Sequence, residues 1–214
     1  MALFLPTYFS PIAQYMAIAN TDEVVFEVED NFQKQTYRNR CYIYGSNGKQ
    51  LLNIPTIHHK NTTKRKTKDT LVENNTNWQS QHFKSIQIAY RNSPFFEFYE
   101  DDLSSIFKKK YIYLLDVNID TFIFLMNALQ LPEKHSKTLE YNPSEIKNYY
   151  HLANAKQQPE LKFEKYIQMF DEKHGFIENL SMLDLLFMEG PNAISFLEKN
   201  HLNLKKNPSI FFNK

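Results

Sequence analysis

Between Tyr37 and Pro55 the chain has little choice but to double back on itself. Tyr37 to Tyr44 is rich in aromatic and β-branched residues and runs into Gly45-Ser46-Asn47-Gly48, so it reads as a strand ending in a hairpin turn. Lys49 to Pro55, carrying Leu51, Leu52 and Ile54, returns as the antiparallel partner. Period-two alternation sorts the side chains. Tyr37, Asn39, Cys41 and Ile43 share a face expected to be buried, where Asn39 needs hydrogen-bond partners. Arg38, Arg40, Tyr42 and Tyr44 share the other, with the two arginine Cα atoms about 6.5–7 Å apart. Such a pair can clamp a carboxylate, a phosphate or a sugar oxygen. The alternative is a solvated face whose arginines pair with local acids. Gln33 and Lys34 precede the pair and join the candidate binding residues.

Upstream, Ala2 to Leu5 reads as a short buried strand ended by Pro6, and Ser10-Pro11 as an N-cap with proline at N1. Ile12, Tyr15, Met16 and Ala19 give a helix to about Asn20, and Glu23 to Glu29 a second strand. Strand, helix, strand is the pattern of a parallel crossover, and ligands of such units sit beyond the carboxyl ends of the strands. Tyr8 and Asp30 occupy those ends, so they are expected to converge with the arginine face; a turn or capping role is the alternative for Asp30. Thr56 to Asp69, with His58, His59, Lys60, Lys64, Arg65, Lys66 and Lys68, reads as a basic loop, either solvated or drawn to an anion.

Thr76-x-x-Gln79 resembles a capping box opening a helix to about Asn92, with Trp78, His82, Ile86 and Tyr90 on one stripe. His82 is a candidate general base, with a packing role as the alternative. Further helices are expected from Ser93 and over Leu114–Leu131, and another after an N-cap at Ser181. Asp184 on that last, apolar helix needs a partner, for which an arginine or histidine of the first half is the expectation. The organisation read from these signals is an α/β core (α+β is the alternative): a small mixed sheet from the N-terminal third, packed with helices. Residues 1–131 form the core domain, 132–160 a connector with a short helix from Ser144, 161–200 a helical segment on the same core, and 201–214 a tail.

Composition excludes several classes. A net charge of +1 gives no general attraction to nucleic acid. The four glycines form neither a dinucleotide fingerprint nor a phosphate loop, and the sequence names no cofactor. One cysteine rules out an internal disulfide and a cysteine-only metal site. No long apolar run marks an integral membrane segment, and the first residues lack the basic start of a signal peptide. Together these point to a cytoplasmic protein.

Several segments resemble the WbqC-like protein family: Pro6-Thr7-Tyr8-Phe9 with Pro11 and Tyr15, Gln33 to Arg40, the turn at Gly48 with Leu52-x-Ile54-Pro55, Trp78-x-x-x-His82 with Tyr90 and Ser93-Pro94-Phe95-Phe96, and Asn179 to Phe187 with Gly190-Pro191. The sequence departs from many relatives at Leu5 and Gln14, between Tyr8 and Pro11, and in a shorter Pro132–Gln158 region. The resemblance implies a role in O-antigen or other surface-polysaccharide synthesis, with a glycine, aminoacyl or acyl transferase acting on an activated amino sugar. Its partner is then a small sugar or amino-acid derivative. On that reading His82 or Asp30 is the base, Tyr8 orients it, and Gln33, Lys34, Arg38, Asn39, Arg40 and Trp78 bind substrate. A non-catalytic module binding a glycan precursor or a protein partner is the alternative.

Overall fold

The computed structural model describes residues 1–57, 65–141, 148–156 and 164–200. His58, His59, Lys60, Lys64, Ser144 and the tail lie outside the described residues, as does the start of the block from Leu161. The class is α/β. Strand β1 (Ala2–Phe4), helix α1 (Ile12–Ala19) and strand β2 (Val24–Phe26) form the expected crossover, with β1 and β2 parallel. The third strand, β5 (His135–Lys137), pairs parallel with β2 and comes from the stretch read as a connector. Strands β3 (Arg40–Gly45) and β4 (Gly48–Asn53) make a separate antiparallel hairpin. Helices α2 (Trp78–Tyr90), α3 (Phe96–Lys108) and α4 (Leu114–Ala128) follow, and α5 (Asp171–His174), α6 (Met182–Glu189) and α7 (Ala193–Lys199) complete the described order.

Strand β3 begins later than alternation implies. Tyr37 to Asn39 turn rather than extend, so Arg38 and Arg40 do not share a face. From Arg40 onward the pattern holds: Cys41 and Ile43 are buried, while Arg40 and Tyr42 are half-buried. Tyr44 is buried on the outer side because its hydroxyl donates to the Phe170 and Gly175 carbonyls, which bring α5 over the end of the hairpin.

Two expected caps are replaced by longer-range ones. Ser10 does not cap α1; Asn179 Oδ1 accepts from the Ala13 N–H at 2.9 Å, and the Leu180 carbonyl from Ile12 N–H at 3.0 Å. Gln79 does not close a capping box. Its amide instead donates to the Phe107 and Lys109 carbonyls at the end of α3, satisfying acceptors that a helix leaves open there. Ser181 does cap α6, accepting from Leu183 N–H at 3.3 Å. Behind α6, Gly190 has φ +51 and no room for a Cβ, which would sit 2.4 Å from the Phe95 ring.

Asp184 is fully buried, and its partners are neutral rather than cationic. Tyr90 donates to one oxygen at 2.7 Å; Tyr166 and Gln168 donate to the other at 2.5 and 3.1 Å. Burial outweighs these three hydrogen bonds and pushes the carboxyl up to about 6. A carboxyl raised on folding stabilises the fold below its unfolded value and loses that contribution as pH rises through its folded value. The loss at Asp184 between pH 4 and 7 is on the order of 3 kcal/mol. Chemical denaturation of wild type and Asp184→Asn across that range should show their stability difference drifting by this amount in favour of the variant as pH rises. A constant difference would remove the titration from Asp184.

Candidate functional site

The hairpin register places Asn53 directly opposite Arg40. Around that pair opens a cavity of about 400 Å³, lined by Phe32, Lys34, Gln35, Asn39, Arg40, Asn53, Ile54, Pro55 and Thr56. The volume lies at the lower end of small-molecule sites, about 300–1,000 Å³. Three of the expected binding residues, Lys34, Asn39 and Arg40, are thus brought together; Gln33 is exposed next to them in sequence. Gln35, Asn53 and Thr56 are lining residues that the sequence reading missed. Asn53 was within reach of it, since counting back from the Ser46-Asn47 turn pairs position 53 with position 40.

Arg38 does something else. Its guanidinium is 1 % exposed and forms an ion pair with Asp30. Thr67 donates to the second Asp30 oxygen at 2.6 Å, and Arg38 Nη1 donates to Thr36 at 3.2 Å. This is the local-acid pairing weighed above, and it holds the 30–38 loop against the turn at Thr67–Asp69 (whose Thr67 N–H also bonds the Asp30 carbonyl). Glu29 is likewise taken, by Lys66 and Lys68. Glu27, fully buried after β2, accepts from Glu29 N–H and Thr138, while burial raises its carboxyl. Lys34 and Arg40 have no ion-pair partner among the described residues. Among the described residues the cavity therefore carries two uncompensated cations and no acid.

Tyr8, Trp78 and His82 form a buried aromatic group behind the hairpin. Trp78 packs edge-on against Tyr8 and His82 and has no open face. His82 Nδ1 and the Tyr8 hydroxyl lie 2.9 Å apart in a hydrogen bond, and the Asn53 carbonyl lies near the ring. Burial drives the imidazole down to about 4, only partly opposed by the nearby Asn53 carbonyl, and holds the Tyr8 phenol well above its ordinary range. His82 is therefore neutral at pH 7 and is not among the residues that line the cavity.

Seven buried polar atoms have no hydrogen-bond partner among the described residues; those of Asn39 (Oδ1) and Arg40 (Nε) belong to residues lining the cavity. Unsatisfied buried groups are rare, and each calls for a physical reason. The sole thiol, Cys41, is buried, and burial raises it far from the thiolate range. Among the described residues no group of three or more His, Cys, Asp or Glu is placed to hold a metal ion. No helix there is long and apolar enough to cross a membrane.

A histidine depressed on folding stabilises the fold above its unfolded value and loses that contribution as pH falls towards its folded value. For His82 the loss from pH 6.5 to 4 is on the order of 3 kcal/mol. Carbon-13 NMR of the His82 ring should show a neutral imidazole down to about pH 5. A midpoint near the unperturbed value of about 6.5 would contradict the sealed arrangement.

The family model for the WbqC-like protein family matches residues 6–162 of the chain. No curated protein and no solved structure matches it. The matched range contains the cavity, the Asp30–Arg38 pair and the Tyr8–His82 pair, but stops short of the Asn179–Phe187 segment on which the resemblance also drew.

Proposed function

The chain belongs to the WbqC-like protein family, and from that premise we propose that it acts on a small anionic sugar or amino-acid derivative in cell-surface polysaccharide (O-antigen) synthesis, as an acyl or aminoacyl transferase to an activated amino sugar. The observation that carries this reading is the cationic cavity of Lys34, Asn39 and Arg40, whose wall residue Asn53 has its carbonyl near the His82 ring. Acylation of an amine needs positioned reactants, a base and charge stabilisation at the carbonyl oxygen. In this reading Lys34 and Arg40 hold the charged group, with Gln33 at the rim. His82 is the base for the attacking amine once the Tyr8 hydroxyl releases its ring nitrogen. Asp30, through Arg38, fixes the loop that carries Lys34. The buried, protonated Cys41 favours direct transfer over a covalent thioester.

One observation favours a second reading, a non-catalytic module that binds a glycan precursor. Tyr8, Asp30 and His82 are all buried and bonded to other protein groups, so each base candidate is occupied before a substrate arrives.

Mass spectrometry separates the two. The protein is incubated with nucleotide-activated amino sugars, acyl thioesters, and amino acids with and without ATP. Transfer predicts an acyl mass on the sugar and a fall of about 100-fold or more for His82→Ala. Unchanged turnover in that variant takes His82 out of the base role. A sugar retained by the protein and never modified supports the binding module.

A further inference from the structure

We infer that the cavity beside Arg40 recognises a phosphate ester of a small hydroxylated molecule, a sugar phosphate in chemical class. The inference rests on the proposal that this cavity is the substrate site and adds which group it reads.

Charge comes first. Glu29 and Asp30, the acids nearest in sequence, are each held by other cations, Lys66 and Lys68 for the first and Arg38 for the second. Among the described residues Lys34 and Arg40 are left unpaired in the lining. Arg65 adds positive charge behind the wall, its guanidinium 5.6 Å from the centre of the Phe32 ring. A phosphate monoester carries about −1.5 to −2 at neutral pH and matches two cations, where a carboxylate matches one. Arginine supplies a planar fork and lysine a mobile point charge, a combination suited to three phosphate oxygens.

The remaining groups ask for more than phosphate. Asn39 donates its amide to Asn53 Oδ1 at 3.1 Å and to the Ile54 carbonyl at 3.0 Å, which fixes the side chain. Its Oδ1 is then a buried acceptor without a donor. A phosphate has no proton to spare for it, whereas a hydroxyl on the esterified molecule does. Phe32, Ile54 and Pro55 give the same cavity an apolar wall for the C–H face of a ring. The volume of about 400 Å³ holds one ring and its phosphate; a nucleoside attached through a second phosphate would extend past the rim.

Isothermal titration calorimetry on the full chain tests this without turnover. The probes are a hexose phosphate, methyl phosphate, the parent hexose, a hexuronate and a nucleoside diphosphate hexose. The hexose phosphate is expected to bind at least about tenfold tighter than the hexose or the hexuronate, and several-fold tighter than methyl phosphate, which lacks the ring hydroxyls. Arg40→Ala should weaken it by about tenfold or more and Lys34→Ala by less, since Lys34 is exposed and screened by salt. Nucleoside diphosphate hexose binding as tightly, with the same response to Arg40→Ala, also supports phosphate recognition and identifies the sugar's activated form as the source. Equal affinity for hexose and hexose phosphate overturns the inference, as does an unchanged affinity in a folded Arg40→Ala variant. Sugar phosphate bound but never acylated removes the transferase reading and leaves this one standing. Acyl transfer without affinity for phosphate does the reverse.

Discussion

The fold hangs on one buried carboxylate. Asp184 takes hydrogen bonds from Tyr90 on α2 and from Tyr166 and Gln168 on the segment before α5, and the Tyr90 hydroxyl in turn accepts from the Tyr44 backbone in β3 at 2.9 Å. One side chain of α6 thus fixes a helix, a loop and, through Tyr90, the hairpin. A few residues earlier, Ser181 donates to the Tyr42 carbonyl through its backbone and to the Phe9 carbonyl through its hydroxyl. Asn179 and Leu180 cap α1. The stretch from Asn179 to Asp184 is therefore the clasp between the crossover and the hairpin, although the family match ends before it.

The cavity owes its charge to pairings made elsewhere. In a loop with Glu29, Asp30, Lys34, Arg38 and Arg40, the expected outcome is mutual neutralisation. The turn at Tyr37–Asn39 prevents it by sending Arg38 inward to Asp30 while Arg40 enters the strand. Lys66 and Lys68 reach across from the next loop to occupy Glu29. Two cations are left over on the side where Asn39 and Asn53 lie. A buried ion pair is weak evidence for stability; here its effect is to decide which arginine remains available.

Most of the scaffold was legible in the sequence because it rests on local signals: the crossover from β1 to β2, the hairpin from its glycine turn, and helices α2 to α4 from their periodicity. Strand β5 was not, since His135-Ser136-Lys137 is polar and pairs only because β2 offers an edge. The arginine pair was half legible. Alternation places residues correctly only while the backbone stays extended, and nothing in Tyr-Arg-Asn-Arg announces that extension starts at Arg40. Trp78 reads as core-facing from its stripe, and the structure buries it. The neutral partners of Asp184 were out of reach because Tyr166 and Gln168 come from a segment with no periodicity.

The parallel sheet also sets an order of events in time. β5 begins at His135, more than a hundred residues after β2 ends at Phe26. At translation rates of about 5–20 residues per second, the nascent chain waits roughly 5–20 s between making the central strand and making the one that covers its free edge. Throughout that interval Val24, Val25 and Phe26 present unpaired backbone groups beside apolar side chains, the combination most prone to pair with a neighbouring chain. Until β5 is made, the edge of β2 is open during synthesis.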